Sequence, residues 1–245
     1  MLSKARFKYV KSLQIKKYRE AEQRFTVEGA KSVLELLQSD FHTELLIGTT
    51  EFFSRSDSAL TSFPGERMEV KSDVLASLGS FKTNDTVLAV ARMKGNEIFT
   101  VSADEFALVL DDIRDPGNLG TIIRIADWYG ITKIIASNES TDFYNPKTLH
   151  ASMGSFTRVS VFYTALTGYL PTITLPVWGA CMEGEDVHQV QWGNGGLLVI
   201  GNEAHGISGD VMQHLTHRVT IPRYGKAESL NAAIATAILC DNLRR

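Results

Sequence analysis

The chain reads as an α/β protein with a mostly parallel C-terminal sheet, preceded by a small α/β unit. Three observations lead there. Short apolar runs recur from residue 106 onward with helical patterns between them, those runs do not alternate with polar residues, and a polar stretch near residue 97 separates them from a differently spaced set of elements. Strands that are apolar on both faces and joined by helices suit a parallel sheet covered on both sides.

The elements follow in order. Up to residue 92 the pattern predicts a basic helical segment, a strand over 25–27, a helix over 30–38, a strand over 44–47, a polar region, and a strand over 87–91. Residues 93–104, which include Lys94, Gly95, Asn96 and Glu97, have the composition of a boundary, so the cut falls near 97 and the expected domains are 1–97 and 98–245. Beyond it, strands are expected at Phe106–Leu110, 131–136, 159–163, 177–182, 197–200 and 218–221. A helix over 227–243 ends the chain, with Leu230, Ala233, Ile234, Ala237 and Ile238 at helical spacing.

Composition narrows the class. The 245 residues are 44% hydrophobic and 22% charged, ordinary for a globular protein and enough for one large domain or two small ones. The longest apolar runs fall far short of the ~20 residues of a membrane span. The opening Met-Leu-Ser-Lys-Ala-Arg has no apolar signal core, which gives a cytoplasmic expectation. Cys181 and Cys240 have no Cys or His neighbour at ligand spacing and read as core thiols, and the six histidines form no ligand pattern, so no metal is expected. Net charge is −3, yet residues 1–24 carry Lys4, Arg6, Lys8, Lys11, Lys16, Lys17, Arg19 and Arg24 against Glu20 and Glu22. A basic head therefore precedes an acidic body.

Three segments carry polar residues that core packing does not require, and each follows a predicted strand, where parallel sheets bind ligands. The first is Asp111-Asp112-Ile113-Arg114-Asp115-Pro116-Gly117-Asn118, with Asn118 placed to cap the next helix and Arg124 further along it among Ile and Ala. A lone cation there needs a carboxylate or an anionic ligand. The second, Gly201-Asn202-Glu203-Ala204-His205-Gly206, allows close backbone approach. It lacks the Lys-Ser/Thr of a P-loop, and no Gly-x-Gly-x-x-Gly occurs in the chain. Glu203 would counter a cationic ligand such as a sulfonium, while His205 reads as an exposed loop residue. The third, Ile221-Pro222-Arg223-Tyr224-Gly225-Lys226-Ala227-Glu228-Ser229-Leu230-Asn231, opens the last helix, with Ser229 as the local capping candidate and Asn231 in the first turn. Arg223 adds a cation to this segment, either paired with Glu228 or left for an anionic ligand.

Together these segments resemble, in order and separation, the three motifs of the SpoU/TrmH branch of the SPOUT methyltransferases. Asn145-Pro146-Lys147 and Ala151-Ser152-Met153-Gly154-Ser155 resemble the family's intermediate segment, and the first ninety or so residues are similar to its ribosomal-protein-like RNA-binding domain. The resemblance implies a trefoil knot, which ordinary topology rules would not suggest. It also implies S-adenosylmethionine as cofactor, held near Gly201, Asn202, Gly206, Ile221, Pro222 and Leu230, and a homodimer. Asn118, Arg124, Glu203, Ser229 and Asn231 match the polar motif positions of a catalytic site for 2′-O-methylation of a ribose in RNA. Ribosomal RNA is the expected substrate because of the N-terminal domain, with transfer RNA or a non-catalytic RNA-binding role as alternatives. An arginine side chain stays charged at neutral pH, so Arg124 suits stabilising an alkoxide better than acting as a base. Arg6, Lys8, Lys16, Lys17 and Arg19 are the expected phosphate contacts.

Overall fold

The computed structural model describes residues 2–81, 83–84 and 86–245. Its contacts divide the chain into two compact units, Met1–Gly95 with Tyr144–Thr157, and Asn96–Phe143 with Arg158–Arg245.

The first unit begins with two basic helices, α1 (Lys4–Ser12) and α2 (Lys16–Glu22). It continues through β1 (Arg24–Glu28), α3 (Ala30–Leu37), β2 (Thr43–Gly48), α4 (Thr50–Arg55), α5 (Asp57–Leu60), β3 (Glu66–Glu69), α6 (Ser72–Leu78) and β4 (Val87–Arg92). The sheet order is β1-β4-β2-β3, antiparallel except for β2 against β3. Val10 and Leu13 at the end of α1 reach a core with Leu45, Ile47, Leu75, Leu78, Leu88 and Val90. The polar region between β2 and β4 thus holds three short helices and β3. That strand pairs at the sheet edge with a mostly exposed Glu-Arg-Met-Glu sequence, so no apolar run marks it.

Six strands form the second unit's sheet, all parallel, in the order β10-β8-β9-β5-β6-β7. Here β5 is Phe106–Leu110, β6 Lys133–Ser137, β7 Ser160–Thr164, β8 Val177–Asp186, β9 Gly196–Ile200 and β10 His217–Thr220. Every residue of β5 and β9 is buried, as central strands covered on both faces require. The expected strands are all present, and β8 runs four residues further than its apolar stretch suggested. Helix α7 (Pro116–Trp128) follows β5.

Between β6 and β7 the chain forms α8 (Pro146–Ser152), which packs with the first unit. Aromatic packing explains the assignment. Tyr144 lies 4.7 Å from Phe25 between ring centroids, and Phe156 lies 6.4 Å from Phe25 and 5.9 Å from Phe41. These rings share one buried cluster on β1, a tertiary contact that sequence order does not reveal.

Short helices α9 (Leu166–Tyr169) and α10 (Gly209–Met212) complete the connections, and α11 (Ala232–Leu243) packs on α7. α11 is apolar nearly all round, and its buried side is Ala232, Ala233, Thr236, Leu239, Cys240 and Leu243. Leu230 and Ile234, among the apolar positions at helical spacing, are 47% and 53% exposed. Burial pushes the Cys240 thiol up to about 12, which keeps it protonated and inert, and Cys181 is half-buried in β8. Among the described residues no helix is long and apolar enough to cross a membrane, and no group of His, Cys, Asp and Glu is placed to hold a metal ion.

One sequence expectation about the basic head needs correction. Arg19 is only 2% exposed, and its guanidinium donates from Nη1 to the carbonyls of Leu13 (3.0 Å) and Gln14 (2.8 Å). It ties the α1–α2 turn together and is not available to a phosphate. Arg6 is held by Glu66 at 2.5 Å, whereas Lys8, Lys16 and Lys17 are exposed, Lys16 lying 3.7 Å from Glu20.

Candidate active site

Strand order places the site. After β5 the chain turns to β6 on one side, and after β9 it passes to β10 on the other, beyond β8. Adjacent parallel strands whose connections leave in opposite directions open a crevice at their carboxyl ends. The loops at 111–115 and 201–208 flank that crevice.

The first loop is rigidly built. Asp111 is buried, and its Oδ2 accepts the Ser208 N–H at 2.7 Å, joining the first loop to the second. Asp112 takes a left-handed backbone with φ of 59°, and its N–H donates to Ser137 Oγ at 3.0 Å. The cap of α7 is Asp115, not Asn118. Asp115 Oδ1 accepts the Asn118 N–H at 2.9 Å, and Pro116 takes the first helical position, where its fixed φ and missing N–H cost nothing.

Released from capping, the Asn118 side chain bridges the other two segments. Its Nδ2 donates to Glu203 Oε1, and its Oδ1 accepts from Asn231 Nδ2 at 2.9 Å. The result is a continuous polar run, Glu203–Asn118–Asn231. Asn231 is the actual cap of α11, its Oδ1 accepting the N–H groups of Ala233 (3.0 Å) and Ile234 (3.2 Å). The helix therefore starts at Ala232 instead of 227, and Ser229 lies in the exposed loop before it.

The second loop closes on itself. Asn202 and Gly206 exchange both backbone hydrogen bonds, N–H to O, at 3.0 and 2.8 Å, with Gly206 at φ of 68°. Asn202 Nδ2 donates to the Asp112 carbonyl at 2.9 Å, and its Oδ1 accepts the Ala204 N–H at 2.8 Å. Gly201 passes so close to this turn that an added Cβ would sit 2.2 Å from the Gly206 carbonyl carbon. His205 is exposed, as its sequence context suggested, and Ile221 and Pro222 are half-buried directly beyond β10.

Several charges in this region have no opposite partner among the described residues. Glu203 is half-buried, and no cation pairs with it. Arg124 is exposed on α7 and makes no ion pair, so the salt bridge that local pattern allowed is absent. Arg223 does not pair with Glu228 and instead reaches the Ala227 carbonyl at 3.4 Å. Arg124 stands about two turns beyond Asn118 and roughly 120° round the helix from it. It shares its face with the exposed Thr121 and with Trp128, which is 83% exposed. The single chain thus brings together Asn118, Glu203 and Asn231 and leaves Arg124 and Ser229 outside that hydrogen-bonded run.

Fold and polar run together define an α/β domain with a crevice at the switch point of a parallel sheet. Residues 105–241 match the SpoU rRNA Methylase family, and residues 4–89 match the MRM3-like substrate binding domain. The chain belongs to the SpoU rRNA methylase family. It is 29% identical to the 23S rRNA (guanosine(2553)-2'-O)-methyltransferase of Bacillus subtilis, over 96% of this chain and 94% of that one. A TrmH-family structure from Porphyromonas gingivalis is 35% identical with a TM-score of 0.88, covering 100% of this chain and 98% of the other. The AdoMet-bound rRNA methyltransferase of Sinorhizobium meliloti is 26% identical with a TM-score of 0.89, covering 100% and 96%.

Proposed function

We propose that the chain methylates the 2′-hydroxyl of a ribose in ribosomal RNA, using S-adenosylmethionine, as a homodimer in the cytoplasm. The observation that carries this reading is the run Glu203–Asn118–Asn231, which joins residues 85 and 113 positions apart at the carboxyl ends of the sheet. Names of relatives support the substrate class, and one acts on guanosine and another, from Streptomyces viridochromogenes, on uridine.

The residues present fit the cofactor. A half-buried carboxylate without a cation, Glu203, suits a sulfonium, and the strand-end loops of Gly201, Asn202, Gly206, Ile221, Pro222 and Leu230 offer backbone groups and apolar surface to the rest of it. When bound, S-adenosylmethionine supplies the electrophilic methyl group. The unpaired Arg124 would stabilise negative charge developing on the ribose oxygen and hold the neighbouring phosphate. Asn231 and Ser229 would orient the reacting groups, with Asn118 fixing Asn231. In the basic head, exposed Lys8, Lys16 and Lys17 would meet the phosphate backbone, with Arg6 joining if it leaves Glu66.

Exposed apolar side chains support the dimer. Trp128, Leu230 and Ile234 leave apolar surface exposed on and beside α7 and α11, which a partner would cover. A second copy seated there would also meet the face that carries Arg124. In sedimentation the wild type is expected as a dimer and a Trp128→Glu variant as a folded monomer with little activity. A fully active monomeric wild type overturns the dimer.

Labelled-methyl transfer to RNA from a strain lacking the gene, followed by mass mapping, tests the function. Label at a single 23S ribose is expected. Label in transfer RNA alone replaces the substrate, and no transfer without calorimetric cofactor binding overturns the enzyme reading. Replacing Lys8, Lys16 and Lys17 with Gln should weaken RNA binding and flatten its log–log salt slope by about 0.7–0.9 for each phosphate no longer neutralised, with cofactor affinity unchanged.

A further inference from the structure

The first unit buries a carboxylate to shape a loop that the methyl-transfer site does not use. Glu28, at the end of β1, is 7% exposed and has no cation beside it among the described residues. Its Oε1 accepts the Ser80 N–H at 2.7 Å, and its Oε2 accepts the Phe81 N–H and Asn84 Nδ2, both at 3.4 Å. Gly79 leaves room for it, since a Cβ there would stand 2.3 Å from Glu28 Oε2. Placing a carboxylate in this position is costly unless backbone donors compensate it, and here they are the N–H groups of the loop itself. The device therefore fixes the backbone at Ser80 and Phe81.

Phe81 does not turn into the core. Its ring stacks on His150 of α8, with centroids 4.2 Å apart and 25° between planes. Phe81 is half-buried and His150 exposed, so the imidazole is covered on one side and presents its ring to solvent. Lys147 is exposed one turn earlier on α8, on the same face at i, i+3 spacing. A held aromatic pair with an exposed ring beside a cation matches how proteins take single-stranded nucleic acid, by stacking a base and attracting its phosphate.

We propose that Phe81 and His150 form a platform on which an unpaired base of the RNA substrate stacks. The proposal rests on the RNA-methyltransferase reading above. It adds a contact of a different kind from the phosphate-directed lysines: one that favours loops over duplex and tolerates any base, because every base has a π-face.

The test measures binding of a short fluorescein-labelled oligoadenylate to the full chain at low salt, by anisotropy, alongside methyl transfer to 23S rRNA. Phe81→Ala and His150→Ala are expected to weaken oligoadenylate binding about fivefold or more, with Phe81→Tyr close to wild type. KM for rRNA should rise in the two alanine variants, with kcat and calorimetric affinity for S-adenosylmethionine retained. His150 is exposed, so its variant tests the platform without threatening the fold. If both alanine variants bind RNA like wild type and only their unfolding temperature drops, the pair merely clamps α8 and the proposal is overturned. A wild type that does not bind oligoadenylate overturns it too. If the variants lose oligoadenylate affinity while the wild type methylates no RNA, the platform stands and the enzyme reading falls.

Discussion

Arg124→Ala is expected to lower kcat by about 10²–10³-fold, with S-adenosylmethionine affinity within about twofold of wild type and no loss of thermal stability. Stability should hold because the side chain is exposed and makes no ion pair among the described residues, so truncation removes no structural contact. The rate should fall because a ribose hydroxyl becomes a competent nucleophile only as it loses its proton, and a guanidinium preorganised beside that oxygen favours the charged form. Arg124→Lys keeps the charge and loses the planar fork, so partial recovery is expected. Arg124 lies round the helix from Asn118, on the face proposed to meet a second copy, so subunit mixing separates two arrangements. If it serves the partner's site, combining Arg124→Ala and Glu203→Ala chains should restore activity to mixed dimers, because one site then regains both groups. If it serves its own site, no mixed dimer regains activity. An Arg124→Ala enzyme at full rate would remove the residue from the chemistry altogether.

The sheet was legible because its signal is one-dimensional. A strand buried on both faces, such as β5 or β9, must be apolar at every position, and the run alone locates it. Asn118, Glu203 and Asn231 could be grouped because each follows the end of a predicted strand, and hydrogen bonds join them. Their local roles were less legible. Asp-Pro-Gly-Asn contains two good capping residues, and Pro116 decides between them, because proline fits the first helical position and so makes Asp115 the cap. In Ser229-Leu230-Asn231 no proline decides, and the bonds of the Asn231 side chain to Asn118 and to the Ala233 and Ile234 N–H groups show which residue is anchored. Arg19 failed for another reason: composition treats a cation as solvated, yet two backbone carbonyls left by the α1–α2 turn gave this one a buried place. The placement of α8 in the first unit and the stacking of His150 on Phe81 are tertiary, between residues far apart in sequence, and no local pattern encodes them.

Gly201→Ala should cost the cofactor site more than any other single methyl group added to the second loop. A Cβ at 201 would lie 2.2 Å from the Gly206 carbonyl carbon, 2.3 Å from the Ile207 nitrogen and 2.4 Å from the Gly206 oxygen, all main-chain atoms held by the Asn202–Gly206 pairing. Flexible side chains can swing away from such an approach, but backbone fixed by two hydrogen bonds has to open instead. Opening it would release Asn202 from the Asp112 carbonyl and shift Glu203 from Asn118, so the damage would spread along the polar run. Calorimetric affinity for S-adenosylmethionine is expected to fall about 100-fold, which corresponds to roughly 2.7 kcal/mol. Gly206→Ala is the informative control. Nothing lies within 4 Å of a Cβ there, and its penalty comes only from the left-handed φ of 68°. A left-handed alanine costs about 1–2 kcal/mol, paid in stability with the loop otherwise intact. Its cofactor affinity should therefore stay within about tenfold of wild type. Equal losses in the two variants would mean that the loop tolerates no side chain for reasons of flexibility alone. A Gly201→Ala protein that binds cofactor normally would show that the close approach of strand and turn is not what shapes the site.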